Sequence, residues 1–299
     1  MDHTTAGTDN TGVEITLGDI HFLLQEPHDF EWLSRLGDVF SVFDQQDSGN
    51  ISFGIERMGV KYFVKYAGAR TLHYTGEPAD AVGRLQLAVP LYETLKYPHL
   101  IKIVDHFSVG SGYAAVFEWV EGENLHPHWS FPPPAKYNDP NSPFYRYRQL
   151  PVSKRLDSLS AIFSFHEHVE SKGYVAVDFY DGSILYDFLN NETHICDIDF
   201  YRAAPSSNEM GDLWGSKRLK SPEEYLLGAP IDARTNVFTM GAIAFVLLGG
   251  ELDRSYSLWD AGNSLYEVAL RAVSEDREMR YADVAEFRQA WETARFEET

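Results

Sequence analysis

The first 120 residues contain five short segments typical of β-strands, with a single helical segment among them. A helical spacing of apolar residues runs over residues 79–96. The strand-like segments are rich in Val, Ile, Phe and Tyr, and the turn sequences DSGN and ERMG separate the first three of them. In chain order they are VFSVFD, NISFGIE and KYFVKYA before the helix, and LIKIVDHFSV and GYAAVFEWV after it. This βββαββ order predicts a small antiparallel sheet of five strands with one main helix.

The second half of the chain is predicted to be mostly helical. One helix is expected over residues 153–171 and a last one over residues 283–295. Between them, the run 237–248 is apolar on all sides, so its helix should be central. Short strands are expected around YVAVDF, ILYDF and HICDIDF. Together with the strand-rich first part, this pattern predicts an α+β fold.

Length and local composition predict how the chain is divided. At about 150 residues per domain, 299 residues correspond to about two domains or lobes. We expect residues 1–36 to be a partly disordered N-terminal extension, 37–120 a small lobe and 121–299 a large lobe. The Pro- and Tyr-rich stretch at 126–150 is predicted to be a long loop within the large lobe.

Charge and composition exclude several classes of function. The chain carries 45 acidic and 25 basic residues, a net charge of −20, which disfavours nucleic acids and anionic membranes as partners. Its one cysteine, Cys196, excludes an internal disulfide framework. The N-terminal residues resemble no signal peptide, and the longest apolar run is shorter than the ~20 residues of a membrane span. We therefore expect a cytoplasmic protein.

Seven segments, in a characteristic order, resemble the protein-kinase superfamily, with a divergent bacterial-type serine/threonine kinase as the nearest type. The resemblance covers roughly residues 37–296. The segments are YFVKYA, YPHLIKIVDHF, VFEWVEGENL, YVAVDFYDGSILYD, ICDIDF, GSKRLKSPEE and DARTNVFTMG. The resemblance implies a two-lobed kinase fold that binds ATP and Mg²⁺ and transfers the γ-phosphoryl group to a protein hydroxyl.

The resemblance also implies which residues bind the nucleotide. Lys65, near the end of the third strand, matches the lysine that contacts the α- and β-phosphates. Gly49 is the one clear glycine of the loop that would cover the phosphates. Glu118 to Val120 match the hinge between lobes, whose backbone groups would hold the adenine.

Catalytic and metal-binding roles follow in the same way. Asp178 matches the catalytic-loop aspartate that accepts the proton of the substrate hydroxyl. Asp199 matches the metal-binding aspartate of the D-F-G motif, although Asp197, two residues earlier, is a second candidate. Ser183 stands at the position of the metal-binding asparagine, and Asp181 could supply a missing ligand.

Three further residues match structural features of protein kinases. Glu223, in SPEE, resembles the glutamate of the A-P-E motif, and Arg280 resembles the arginine that pairs with it. Asp232 resembles the aspartate that opens the central helix. These features favour a protein substrate, and Ser216 lies where serine/threonine kinases carry a hydroxyl residue facing the catalytic loop.

The sequence departs from the family pattern at several functional positions. Val177 replaces the arginine of H-R-D, which predicts that the usual phosphorylation switch is missing. Tyr180 replaces the catalytic-loop lysine, and Tyr201 replaces the glycine of D-F-G. The helix glutamate that should pair with Lys65 is out of register, with Glu93 as the nearest candidate.

These departures leave three hypotheses about function. The first is an active but divergent serine/threonine protein kinase, because Lys65, Asp178 and Asp199 are retained. The second is a catalytically impaired pseudokinase that acts as a binding or scaffold module, with residues 126–150 as its docking surface. The third is a small-molecule phosphotransferase, which the A-P-E-like features disfavour.

Overall fold

The computed structural model describes residues 12–297, and antiparallel strands dominate residues 12–119. A hairpin of two strands is followed by the five strands of the main sheet, whose spatial order is third, fourth, fifth, seventh and sixth. The strands are β1 (Val13–Leu17), β2 (Ile20–Leu24), β3 (Asp38–Phe43), β4 (Asn50–Arg57), β5 (Val60–Ala67), β6 (Ile103–Val109) and β7 (Gly112–Glu118). The one long helix of this part is α1 (Pro78–Thr94). The predicted five-stranded antiparallel sheet with one main helix is confirmed.

Hydrophobic alternation and tight turns explain this sheet. Ile51, Phe53 and Ile55 of β4 are fully buried and point to one face of the sheet, as the two-residue period of a strand requires. The turn between β4 and β5 consists of Met58 and Gly59, with φ of 52° and 78°. Positive φ at both central residues is the geometry that suits a two-residue hairpin.

Residues 13–36 belong to the same hydrophobic core as the sheet. Phe22 and Leu24 of β2 are buried, as are Phe30 and Leu33 around a 3-10 turn at Glu31–Arg35. They pack against the core residues of β4, and the ring centroids of Phe30 and Phe53 lie 5.2 Å apart. The part of the predicted disordered extension that falls on residues 1–11 lies outside the described residues.

The chain divides into two compact units. One contains the residues up to Pro90 together with Lys102–Trp119, and the other contains Leu91–Ile101 and the residues from Val120 onward. Up to residue 297, the second unit contains helices α2 to α7 and several short strands. They are β8 (Glu123–Asn124), α2 (Ala135–Asn138), α3 (Pro143–Arg148), α4 (Val152–Ser171), β9 (Tyr174–Val175), β10 (Ile184–Asp187), β11 (Glu192–Ile195), β12 (Arg202–Ala203), β13 (Ser206–Ser207), β14 (Pro230–Ile231), α5 (Ala233–Leu248), α6 (Asn263–Ala272) and α7 (Val284–Glu297). This mixture confirms the predicted α+β class.

Helix α5 is the centre of the second unit. Every residue from Thr235 to Leu248 is buried, as an all-round apolar helix should be. The Asp232 side chain caps its first turn by accepting a hydrogen bond from the backbone N–H of Arg234 at 3.0 Å. Helices α4, α6 and α7 pack around it.

Residues 126–150 are more structured than the predicted long loop. They form α2 and α3, and the side chains buried in the second unit include those of Lys136, Phe144 and Tyr147. Ser142 caps α3 by accepting a hydrogen bond from the backbone of Tyr145. The segment is therefore part of the folded unit, and its one buried cation needs a buried partner.

Short sheets of the second unit hold the two loops that contain the candidate catalytic residues. Strands β8, β10 and β11 form one sheet, and β9 pairs with β12. The first loop, residues 176–183, connects β9 to β10 and is called the catalytic loop below, after the candidate catalytic residue Asp178 that it contains. The second, residues 196–201, connects β11 to β12. The backbone N–H of Cys196 donates to the carbonyl of Ser183 at 2.9 Å, so the two loops are joined directly.

Candidate active site

Buried anchors on both sides fix the backbone around Asp178. Val177 and Phe179 are each almost fully buried, whereas Asp178 between them is half-buried. The carboxamide of Asn236 in α5 accepts a hydrogen bond from Ala176 N at 2.8 Å and so attaches the start of the loop to the central helix. Asp178 itself has a left-handed backbone conformation, with φ of 64°. Such strained residues cluster at functional sites.

A buried histidine connects the catalytic loop to the second loop. His166 of α4 lies against Phe179, with ring centroids 4.3 Å apart, and its Nε2 is 2.8 Å from the Tyr201 hydroxyl. Because its Nδ1 lies 2.8 Å from the carbonyl of Ile162, Nδ1 donates and Nε2 accepts the hydroxyl proton of Tyr201. Tyr201, at the position of the D-F-G glycine, is therefore a buried anchor for this loop.

Asp197 and Asp199 have different surroundings. Asp197 is exposed and also has a left-handed backbone, with φ of 53°. Asp199 is half-buried, and its Oδ1 accepts a hydrogen bond of 2.8 Å from the hydroxyl of Tyr92. Tyr92 is buried, and burial together with the Asp199 carboxylate raises the pKa of its hydroxyl well above the usual value. The hydroxyl is therefore a permanent donor to Asp199.

Besides burial, Asp178 and Asp197 both raise the pKa of Tyr180. Tyr180 stands at the position of the family's catalytic-loop lysine, and its pKa is raised first by burial and then by the charges of Asp197 and Asp178. The same two carboxylates also raise the pKa of Tyr201 after burial. Both carboxylates therefore contribute negative potential at Tyr180 and Tyr201.

Ser183 is completely buried at the end of the catalytic loop. Its Oγ has no hydrogen-bond partner among residues 12–297. A buried hydroxyl without a partner is uncommon and calls for an explanation by a ligand, an ion or a water molecule. Ser183 therefore stays a candidate for metal binding.

Asp181 is neutralised by two cations. Its carboxylate is completely buried, lies 2.5 Å from the Lys136 ammonium and receives hydrogen bonds of 2.6 and 3.2 Å from the Arg218 guanidinium. Burial alone would raise the pKa of Asp181, but Lys136 and Arg218 outweigh it and lower the pKa below its usual value. Both carboxylate oxygens already have partners, which disfavours the expected use of Asp181 as a metal ligand.

The three structural candidates form two ion pairs. Arg280 and Glu223 are joined by two hydrogen bonds of 2.7 and 3.1 Å, and the pair is buried. Thr235 of α5 also donates to Glu223 at 3.0 Å. Asp232 binds Arg277 through two hydrogen bonds of 2.6 and 2.7 Å. These bidentate contacts attach the Pro222–Tyr225 turn and the start of α5 to the segment before α7.

The nucleotide-side candidates lie mostly in the first unit. Lys65 is half-buried in β5, paired in register with Ser52 and Ala115. The Glu118 backbone N–H at the end of β7 donates to the carbonyl of Lys102 at 2.9 Å. Val120 belongs to the second unit.

Gly49 is required by the turn that holds it. Its φ is 80°, and a Cβ at this position would lie 2.7 Å from the ring of Tyr74. Arg84 donates to the carbonyl of neighbouring Ser48 at 2.7 Å and to the Tyr74 hydroxyl at 3.1 Å. The turn is therefore held by side chains of the same unit.

A comparison with curated proteins supports a kinase-like relationship. The chain is 24% identical over 182 residues, 58% of its length, to the serine/threonine-protein kinase pkn2 of Myxococcus xanthus. The matched part is 20% of that protein, so the chain spans about a fifth of this relative's length. No protein-family model matches the chain.

Metal-binding clusters and membrane-spanning helices are both absent from the described residues. Within residues 12–297, no group of three or more His, Cys, Asp or Glu side chains is arranged to hold a metal ion by itself. No helix in that range is long and apolar enough to cross a bilayer.

Sequence reasoning missed three residues of this region. Tyr92 holds Asp199, and Lys136 and Arg218 neutralise Asp181. A lysine within a Pro- and aromatic-rich stretch was the one sequence signal for Lys136, since a buried ammonium needs an anion. No local pattern indicated the other two.

Proposed function

We propose that this chain is an ATP-dependent phosphotransferase of the protein-kinase type, with a two-lobed kinase-like fold, that transfers the γ-phosphoryl group of ATP to a serine or threonine hydroxyl of a protein. The observation that carries the proposal is the backbone hydrogen bond between Cys196 and Ser183, which joins the loop that contains Asp178 to the loop that contains Asp197. The similarity to a bacterial serine/threonine kinase supports it.

In this proposal Asp178 orients the attacking hydroxyl and accepts its proton. Phosphoryl transfer depends mainly on position and on neutralisation of charge, so a carboxylate held between two buried anchors is well suited to the task. Lys65 holds the α- and β-phosphates, and the backbone of Glu118 and Val120 holds the adenine, with Gly49 in the turn over the phosphates. Glu223, Arg280 and Asp232 maintain the fold around the protein substrate.

Asp197 supplies a carboxylate suited to a divalent cation such as Mg²⁺. When bound, the metal neutralises phosphate charge and orients the phosphates. Asp197 is the better metal carboxylate, because it is exposed and acts with Asp178 on Tyr180 and Tyr201. The carboxylate of Asp199 is already engaged by Tyr92. Family spacing favours Asp199 instead, and the experiment below compares the two aspartates. Ser183 is a further oxygen donor for the metal, whereas Asp181 is not proposed as a metal ligand.

The pseudokinase hypothesis remains the second candidate, and Tyr180 is the observation that favours it. A buried tyrosine whose pKa is raised stays neutral and supplies no cation for the γ-phosphate. The chain would then bind a partner through its fold without turnover, and the presence or absence of turnover distinguishes the two functions.

Thermal unfolding with ATP tests the proposal directly. ATP at a hundred times its Kd stabilises a protein by about 2.7 kcal/mol, which a melting curve detects easily. We expect a shift that needs Mg²⁺ or Mn²⁺, that is lost in Asp197→Asn and that is retained in Asp199→Asn. Loss in Asp199→Asn alone would return the metal role to Asp199. No shift of the wild type with any nucleotide or metal would contradict nucleotide binding.

Phosphate transfer from radiolabelled ATP then separates the two candidate functions. We expect the wild type to label a protein substrate or itself on serine or threonine. A metal-dependent ATP shift without any labelling would favour the pseudokinase.

A further inference from the structure

Four charged side chains, two of them fully buried and two partly buried, form a balanced cluster next to the proposed active site. The Asp181 cluster consists of Asp181, Lys136, Arg218 and Glu251. Besides the two ion pairs of Asp181, Glu251 lies 3.0 Å from Arg218 and 3.7 Å from Lys136. Two acids therefore face two bases, and the Lys136 and Asp181 side chains are completely buried. A balanced pair inside a protein is retained only with good geometry, so the positions of these four groups are tightly coupled.

The cluster joins four separate parts of the second unit, one of which is the stretch after α5 that contains Glu251. Lys136 comes from α2 of the 126–150 segment, and Asp181 lies three residues after Asp178 in the catalytic loop. Arg218 belongs to the stretch 202–224, named here the 202–224 segment, which occupies the position of a kinase activation segment and leads into the Glu223–Arg280 pair. Displacement of any one part would leave a buried charge without its partner.

A second contact joins the same loop to the same segment. Val177, at the position of the missing arginine of H-R-D, is buried in a small apolar cluster with Val175, Leu213 and Ile231. Leu213 comes from the 202–224 segment, and Lys220 donates to its carbonyl at 2.6 Å. At this position the family has an arginine that binds a phosphorylated activation segment, and here an apolar contact replaces it. Neither this apolar contact nor the Asp181 cluster needs a phosphate.

We propose that Asp181 is a positioning residue that fixes the catalytic loop and the 202–224 segment in their working arrangement without phosphorylation. The proposal rests on the proposed function, since it explains how Asp178 would be held for catalysis. The 126–150 segment then has a role different from a docking loop, because it supplies the lysine that completes the cluster.

Kinetics and hydrogen exchange together test this role. The variants are Asp181→Asn, Lys136→Met, the conservative Lys136→Arg and the matched control Arg146→Gln. Arg146 lies in the same 126–150 segment but pairs with the half-exposed Glu123. Phosphatase-treated protein, checked by mass spectrometry, is used throughout. The measurements are kcat and KM for ATP in phosphate transfer, and amide exchange of residues 176–187 and 208–221.

A positioning role predicts a specific separation of these parameters. In Asp181→Asn and Lys136→Met we expect kcat to fall about 10- to 100-fold, since small displacements of a catalytic group have costs of this size. The KM for ATP should change less than about twofold, because the nucleotide contacts are intact. Exchange of both peptides should rise in these two variants. Lys136→Arg should recover most of kcat, and Arg146→Gln should match the wild type in both measurements.

Each contrary outcome has a definite meaning. Wild-type kcat and exchange in Asp181→Asn would overturn the proposal, and so would a wild type that loses activity and protection on phosphatase treatment. If the wild type transfers no phosphate while exchange still rises in Asp181→Asn and not in Arg146→Gln, the fixing of the loop is supported and the proposed function alone fails.

Discussion

The hydroxyl of Tyr92 donates a hydrogen bond of 2.8 Å to the carboxylate of Asp199, a residue 107 positions later in the chain. The same hydroxyl accepts the backbone N–H of Ile198 at 3.3 Å. One buried phenol therefore holds both the backbone and the side chain of the loop that contains Asp197 and Asp199. Within this loop Asp197 is exposed, whereas Asp199 is half-buried and accepts the Tyr92 hydrogen bond.

Tyr92→Phe is expected to destabilise the second unit. The substitution leaves the Asp199 carboxylate and the Ile198 N–H without their buried partner, and a lost buried partner costs about 1–3 kcal/mol. Urea unfolding measures the change in free energy. Tyr256→Phe is the control, since Tyr256 is about half exposed. Removal of its hydroxyl should lower the free energy of unfolding by less than about 0.5 kcal/mol. Equal stability of the two variants would mean that the Tyr92 hydroxyl contributes nothing to the fold.

Removal of one partner from the Glu223–Arg280 pair is expected to be severe. Either Glu223→Gln or Arg280→Met leaves a buried group uncompensated, which costs about 3–5 kcal/mol. The matched control is Glu278→Gln, because Glu278 is exposed and its pair with Arg234 should contribute less than about 1 kcal/mol. Chemical denaturation of the three variants compares the costs. A loss no larger than in the control would show that the buried pair is dispensable.

Local patterns in the sequence were sufficient for most of the fold. The alternation in NISFGIE and the ERMG turn predicted β4, its hairpin and the sheet, since both depend on neighbouring residues. The apolar run in α5 predicted a buried central helix for the same reason. Glu223 and Arg280 were expected as partners because family motifs indicate their pairing, and the structure brings them together.

The parts that were missed depend on contacts between distant residues. Lys136 and Asp181 are 45 residues apart, and the proline-rich context of Lys136 predicted a loop, whereas a buried ion pair holds the segment in place. The contact between Tyr92 and Asp199, over 107 residues, likewise has no local signature. Asp181 had the right chemistry for a metal, but its two cationic partners come from other parts of the chain.

His166 is expected to make stability depend on pH below neutrality. Burial lowers its pKa from 6.5 to about 4, so the folded protein keeps it neutral while the unfolded chain binds a proton. The contribution of neutral His166 to the free energy of unfolding is complete above pH 6.5 and is lost as the pH falls from 6.5 towards 4. Glu224 titrates in the same pH window, since burial raises its pKa to about 7. Its effect on stability has the opposite sign to that of His166.

Comparison with His166→Gln isolates this contribution. The difference in unfolding free energy between the wild type and His166→Gln should shrink as the pH is lowered from 6.5 to 4.5 and stay constant from pH 7 to 8. Denaturant titrations at several pH values provide both curves. A difference that is constant over the whole range would mean that His166 titrates alike in the folded and unfolded chains.

Asp178→Asn is expected to abolish transfer and leave nucleotide binding intact. An amide is nearly the size of the carboxylate but does not accept the proton of a substrate hydroxyl, and removal of a general base costs about 10²- to 10⁴-fold in kcat. The melting shift with ATP and metal should equal that of the wild type, because the role of Asp178 concerns the acceptor hydroxyl. Equal phosphate transfer by both proteins would remove Asp178 from the mechanism. A loss of the ATP shift would instead assign Asp178 to the metal site with Asp197, whose charge it reinforces at Tyr180.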